Sequence, residues 1–157
     1  MSAPAMDTPV FTLHHTGYLV ADIEKAASSY TGLLGYRIES PVIEDPVQTA
    51  HVQFLRLPGA DSWLELISPA SEKSKLSNAL SKGGGLHHLC YEVADIEAAC
   101  AHLRAGGMFP LASPVAAAAF SGRKIAWFMD ERRLLIELVE AGEGDLSLAS
   151  LADGGRR

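Results

Sequence analysis

The stretch Gly83–Cys100, GGGLHHLCYEVADIEAAC, decides how this chain folds. A glycine run closes one segment, a paired histidine opens a strand over Leu86–Val93, and Asp95 starts a helix over Ile96–Ala105 that stops at Gly106-Gly107. The same pattern stands earlier. Leu13–Ala27, LHHTGYLVADIEKAA, repeats both the Leu-His-His opening and the Val-Ala-Asp-Ile-Glu turn, so that His15 and His88 are 73 residues apart. A duplication of this length rarely arises by chance and marks a repeated structural unit.

Outward from the repeat, the first copy reads as a strand over 11–20, a helix with Ile23, Ala27, Tyr30 and Leu34 at helical spacing, Gly35 as its stop, and a short strand over 36–40 ending at Pro41. Two further strands, 51–57 and 63–67, flank a turn-forming Pro58–Ser62 segment. The second copy repeats the plan, with strands over 108–111 and 134–139. Residues 112–122 are left as a loop and a candidate cover over a cavity. The expected fold is therefore α+β: two tandem βαβββ modules, 11–69 and 86–141, forming a curved mixed sheet around a concave metal site. Residues 70–85 are a linker with a short helix and Ser71 as its cap. Residues 1–10 read as a flexible leader, and the tail, 142–157, as either a docked helix or a disordered end.

Composition excludes several functions. A net charge of −6 argues against a broad phosphate-binding face, and hence against nucleic acid as a partner. No apolar run reaches the roughly 18 residues of a spanning helix, and the first residues do not form a secretory signal, so no membrane and a cytoplasmic location are expected. Cys90 and Cys100 are too few for a disulfide framework and read as reduced, buried thiols.

Strand alternation places candidate chemistry. If Leu89, Tyr91 and Val93 pack under the second helix, His88, Cys90 and Glu92 face the other way. Thr16, Tyr18 and Val20 leave His15 on the corresponding face of the first copy. By the same parity Glu65 and Glu137, 72 residues apart in equivalent last strands, look away from the helices. The concave side thus collects His15, Glu65, His88 and Glu137. Two neutral imidazoles and two carboxylates balance a divalent cation, and mixed nitrogen and oxygen donors suit Zn, Co, Ni, Mn or Fe better than Ca. His14 and His87 fall by parity on the helix side, as structural residues.

The segments LHHTGYLVADIEKA, WLELISPA, GGGLHHLCYEVADIEAA and LLIELVE resemble the vicinal oxygen chelate superfamily, which includes glyoxalase I, extradiol dioxygenases and bleomycin resistance proteins. Within it, the run from Leu64 to Ala99 is most similar to the methylmalonyl-CoA epimerases. The resemblance implies metal binding at His15, Glu65, His88 and Glu137. It also implies a metal-dependent isomerase that takes a proton next to a thioester carbonyl through a metal-stabilised enolate, a small-molecule substrate such as an acyl-CoA, and a homodimer. The glyoxalase-I-like isomerase and the non-enzymatic bleomycin-resistance type are the alternatives.

Some epimerases carry an extra glutamate in the stretch equivalent to Gln48–Leu57; here that stretch has no acid. The candidate bases are Glu65, Glu137 or His51, the last read with Gln53 as a polar group on the concave side. Arg123 and Lys124 are candidates for meeting an anionic substrate at the cavity rim. The turn within FMDERRLLIE resembles a short superfamily hairpin with Arg133 in a glycine place.

Overall fold

Asp22 and Asp95 begin the two longest helices by the same device: each has extended backbone, and its carboxylate accepts a 3.0 Å hydrogen bond from the amide three residues on, Lys25 N and Ala98 N. The structure is a computed structural model describing residues 8–154. In chain order it comprises β1 (Thr12–Leu19), α1 (Ile23–Leu34), β2 (Arg37–Ile38), β3 (Ile43–Asp45), β4 (Ala50–Arg56), β5 (Trp63–Pro69), α2 (Ser77–Ser81), β6 (Gly85–Val93), α3 (Ile96–Ala105), β7 (Phe109–Ala116), a 3₁₀ turn (Ala118–Phe120), β8 (Lys124–Met129), β9 (Leu135–Glu140) and α4 (Leu148–Gly154). No helix among the described residues is long and apolar enough to cross a membrane.

All nine strands form one open, curved, mixed sheet in the order β2-β4-β5-β1-β6-β9-β8-β7, with β3 on β4. The two βαβββ modules join edge to edge within the chain. β1 and β6 pair antiparallel at the centre, and each pairs parallel with the last strand of its own module, β5 or β9. Helix α1 covers Leu55, Leu64 and Leu66, and α3 covers Ala126, Ile136 and Leu138. The opposite, concave face carries its own apolar cluster around Phe54, Trp63, Ile67, Phe120 and Val139.

Three details depart from expectation. Strand β3 was not anticipated; its three residues follow Pro41 and are too few to show a period. Strand β7 runs to Ala116 through Pro110 and Pro114, because it is an edge strand, interrupted by register shifts, where a missing N–H costs no ladder bond. The supposed cover over 112–122 is thereby half strand, and its remainder is pinned by Phe120, which is buried in the concave core. Ser71 does not cap α2, whose N-cap is Leu76. The tail resolves as a docked segment ending in α4; the leader's residues 1–7 and the tail's 155–157 lie outside the described residues.

The most consequential departure is a pair of bulges. Leu13 pairs with Tyr91 and His15 with Cys90, so His14 is an extra residue on β1; Tyr18 pairs with Leu86 and Gly17 with His88, so His87 is extra on β6. A bulge turns two consecutive side chains toward one face. Parity therefore fails at His14 and His87: both sit on the concave side, with His14 against Trp63 and Phe120 and His87 facing Trp127.

Candidate metal centre

The four residues that the repeat selects come together at the middle of the concave face. His15 and Glu65 arrive on β1 and β5, adjacent parallel strands; His88 and Glu137 arrive on β6 and β9 in the same relation. His15 Nε2 lies 3.0 Å from His88 Nε2, 3.2 Å from Glu137 Oε1 and 3.7 Å from Glu65 Oε2. His88 Nε2 lies 3.3 Å from Glu65 Oε1 and 3.8 Å from Glu137 Oε1. All four side chains are buried.

These residues fit a divalent ion. Donors held tetrahedrally at about 2.1 Å from a metal would stand about 3.4 Å apart, in the middle of the range of the five distances that involve an imidazole, and His15, Glu65 and His88 each offer an atom within 4.8 Å of the other two. Glu65 Oε1 and Glu137 Oε1 are buried and have no hydrogen-bond partner among the described residues, a costly state for carboxylates that a cation would remove. The whole set comes from one chain.

Burial sets the protonation of the site. It pushes His15 down to about 3, because no exposed water remains to stabilise the imidazolium. Burial lowers His88 too, but the Glu65 carboxylate 3.3 Å from its Nε2 and the charge of Glu137 outweigh that and hold it above the ordinary range. Glu137 is raised by burial, and so is the Cys90 thiol, which stays protonated. Both cysteines are free and buried.

Behind each ligand histidine stands the other member of its pair. His14 Nδ1 is 2.8 Å from His15 Nδ1, and His87 Nδ1 is 2.7 Å from His88 Nδ1. Desolvation holds His14 at about 3 and His87 at about 4. Sequence parity missed this outer row, and only the fact that both pairs are doubled, 73 residues apart, signalled it. Close approach at the centre depends on Gly17, where a Cβ would collide with the His88 ring.

Other expected site residues lie elsewhere. His51 and Gln53 are not on the concave side. His51 pairs with Ser68 and Gln53 with Leu66, on the face opposite Phe54, Glu65 and Ile67, so the expected base His51 points away from the centre. Arg123 does not wait at a rim: its Nε donates to Phe120 O at 3.0 Å and its Nη2 to Asp145 O at 2.8 Å, with Glu92 Oε2 3.9 Å from Nη1. Lys124 is exposed at the start of β8, opposite Ala116.

Two cavities flank the centre. One, of about 680 Å³, lies under the tail, between Glu39–Pro41, Trp63 and residues 144–151. The other, of about 360 Å³, is lined by Val47, Gln48, Leu76, His87, Leu111 and Trp127 among others. Among the described residues His87 Nε2 has no protein partner, and it is not among the buried unpaired atoms, so it opens toward this second space, which His87 lines.

Known proteins resemble this chain in sequence and in fold. The profile of the Glyoxalase/Bleomycin resistance protein/Dioxygenase superfamily matches residues 14–128. An ethylmalonyl-CoA/methylmalonyl-CoA epimerase of Cereibacter sphaeroides is 38% identical over 103 residues, 64% of this chain and 75% of that protein. A mitochondrial methylmalonyl-CoA epimerase of Mus musculus is 36% identical over 59% of this chain and about half, 51%, of its own length. A 2-epi-5-epi-valiolone epimerase of an Actinomyces species is 26% identical over 84% of this chain and 80% of that protein. Among solved structures, the methylmalonyl-CoA epimerase from Mycobacterium tuberculosis superposes with a TM-score of 0.75 at 28% identity, covering 98% of this chain and 97% of its own.

Proposed function

Because the chain belongs to the Glyoxalase/Bleomycin resistance protein/Dioxygenase superfamily, we propose that it is an enzyme, a metal-dependent epimerase of the methylmalonyl-CoA epimerase type. The reaction removes and returns a proton on the carbon next to a thioester carbonyl. One observation carries this reading: two buried carboxylate oxygens without partners face two imidazole nitrogens across a gap of metal-ligand size. His15, Glu65, His88 and Glu137 hold the ion. A divalent ion bound there supplies a Lewis acid for the negative charge that develops on a carbonyl oxygen.

The chain's own groups do the rest. Epimerisation needs a base on one face of the carbon and an acid on the other. Glu65 and Glu137 come from opposite halves of the sheet, so a carboxylate that left the ion on either side would take up and return the proton. Burial disfavours the charge of Glu137 and raises its basicity. Trp127, Leu76, Leu111 and Leu135 line the smaller cavity and exclude water from the bound acyl group.

The test places the metal-loaded protein with methylmalonyl-CoA in deuterated water. Solvent deuterium at the α-carbon and racemisation are expected in the wild type, and both are expected to be lost in Glu137→Gln; no exchange in the wild type overturns the acyl-CoA assignment. A second reading, an epimerase of an uncharged keto substrate, is favoured by the commitment of Arg123 to the tail, which leaves it unavailable for a CoA phosphate. Exchange with 2-epi-5-epi-valiolone in place of the thioester would support it, in keeping with the relative that matches over most of this chain.

A further inference from the structure

We infer that His14 is a positioning residue through which the docked C-terminal segment holds the metal ligand His15 in its ligating tautomer. This rests on the metal-site reading above. The chain of contacts is short. Leu146 O can only accept, and His14 Nε2 lies 2.6 Å from it, so Nε2 carries a proton. The His14 ring is buried against Trp63 and Phe120 and forms no ion pair among the described residues, which keeps it neutral. A neutral ring protonated at Nε2 has a bare Nδ1. That atom is 2.8 Å from His15 Nδ1, so His15 Nδ1 is the donor. His15 Nε2 is then left bare and directed at the other three ligands, as a metal requires.

Without the carbonyl, His14 is free to carry its proton on Nδ1 and donate to His15. The His15 proton then sits on Nε2 and blocks the site. The coupling is reciprocal by linkage: an ion on His15 Nε2 keeps the His14 proton aimed at Leu146 O and so tightens the tail. The tail is built to present that carbonyl. Leu146 is buried with φ of 58°, a left-handed conformation that a leucine keeps only when its surroundings enforce it. Arg123 Nη2 on Asp145 O and Leu148 N on Glu92 Oε2 hold it from both sides. The second histidine pair has no such device: His87 Nε2 meets open space.

Three measurements on the full-length chain test this. Long-range ¹H–¹⁵N NMR of the metal-free wild type should find the His15 proton on Nδ1; a proton on Nε2 overturns the inference and needs no variant. Calorimetric titration with Co²⁺ should show His14→Phe, which keeps a ring between Trp63 and Phe120 but no nitrogen, binding about ten- to hundredfold more weakly. Hydrogen exchange of amides 146–151 should slow on Co²⁺ binding in the wild type and not in His14→Phe. Equal Co²⁺ affinity and equal slowing in both proteins overturn this inference alone, whereas a wild type that binds no Co²⁺ overturns the metal-site reading as well.

Discussion

The two histidine pairs are copies of one motif put to different uses. In both, a bulge brings adjacent imidazoles to the concave face, one ring turned to the four-residue centre and the next bonded to it through Nδ1. Around the first pair everything is closed: His14 is capped by Leu146 O, and His15 is boxed by Phe54 and Phe120. The second pair opens on a cavity walled by Trp127. The difference comes from parts that are not repeated, namely the tail and the 70–85 connector that contributes Lys75 and Leu76 to the cavity. Duplication supplied a symmetric cup of histidines and glutamates, and unrepeated segments closed one half and left the other open to a cavity.

Phe54 and Trp127 occupy equivalent places, each edge-on to a ligand histidine. If the halves differ as described, Phe54→Ala costs about 3–5 kcal/mol of stability, measured by denaturant unfolding, because Phe54 is fully buried. Trp127→Ala should cost less than that and act on KM; equal stability losses would break the comparison. Next in size is Gly17→Ala. The added methyl meets the His88 ring, so a loss of about 1–3 kcal/mol and weakened metal binding in a calorimetric titration are expected. At the equivalent position in the other half Cys90 stands opposite His15, so Cys90→Ala should leave metal affinity near the wild-type value.

pH acts on the metal-free protein by a comparable amount. His14 and His15 at about 3 and His87 at about 4 stay neutral when folded but protonate near 6.5 when unfolded. The unfolded state therefore binds more protons between pH 6.5 and about 4, and stability falls as pH drops through that window. Each contributes on the order of 1 kcal/mol between pH 7 and 5.5, with His88, whose value is raised, opposing them. Thermal unfolding of the apo protein across that range should show Tm falling with pH; a flat profile would mean that the sealed pair takes up protons while folded.

Much of the fold was legible in the chain. Asp22, Asp95 and Gly35 marked helix ends because caps are local devices, and Leu64, Leu66, Ile136 and Leu138 marked the helix-facing side because period two survives in regular strands. Parity also grouped His15, Glu65, His88 and Glu137, whose two imidazoles the fold brings within 3.0–3.8 Å of each other and of both carboxylates. It failed for His14 and His87 because a bulge inserts a residue, and for His51 because alternation alone does not say which face of β4 meets the centre. Arg123 was legible as a charge but not as a clasp, since its partners Asp145 and Glu92 are distant in sequence.

What the sequence determined by itself is the duplicated module and, with it, the identity of the four central residues, for repeats and periods are properties of neighbours along a chain. Only the tertiary structure decided that a second row of histidines stands behind the first, that one row is sealed by the tail, and that the other faces a cavity. Those are relations between strands and segments remote in sequence. Register shifts and docking of an irregular tail are set by the packing they complete, not by a local pattern.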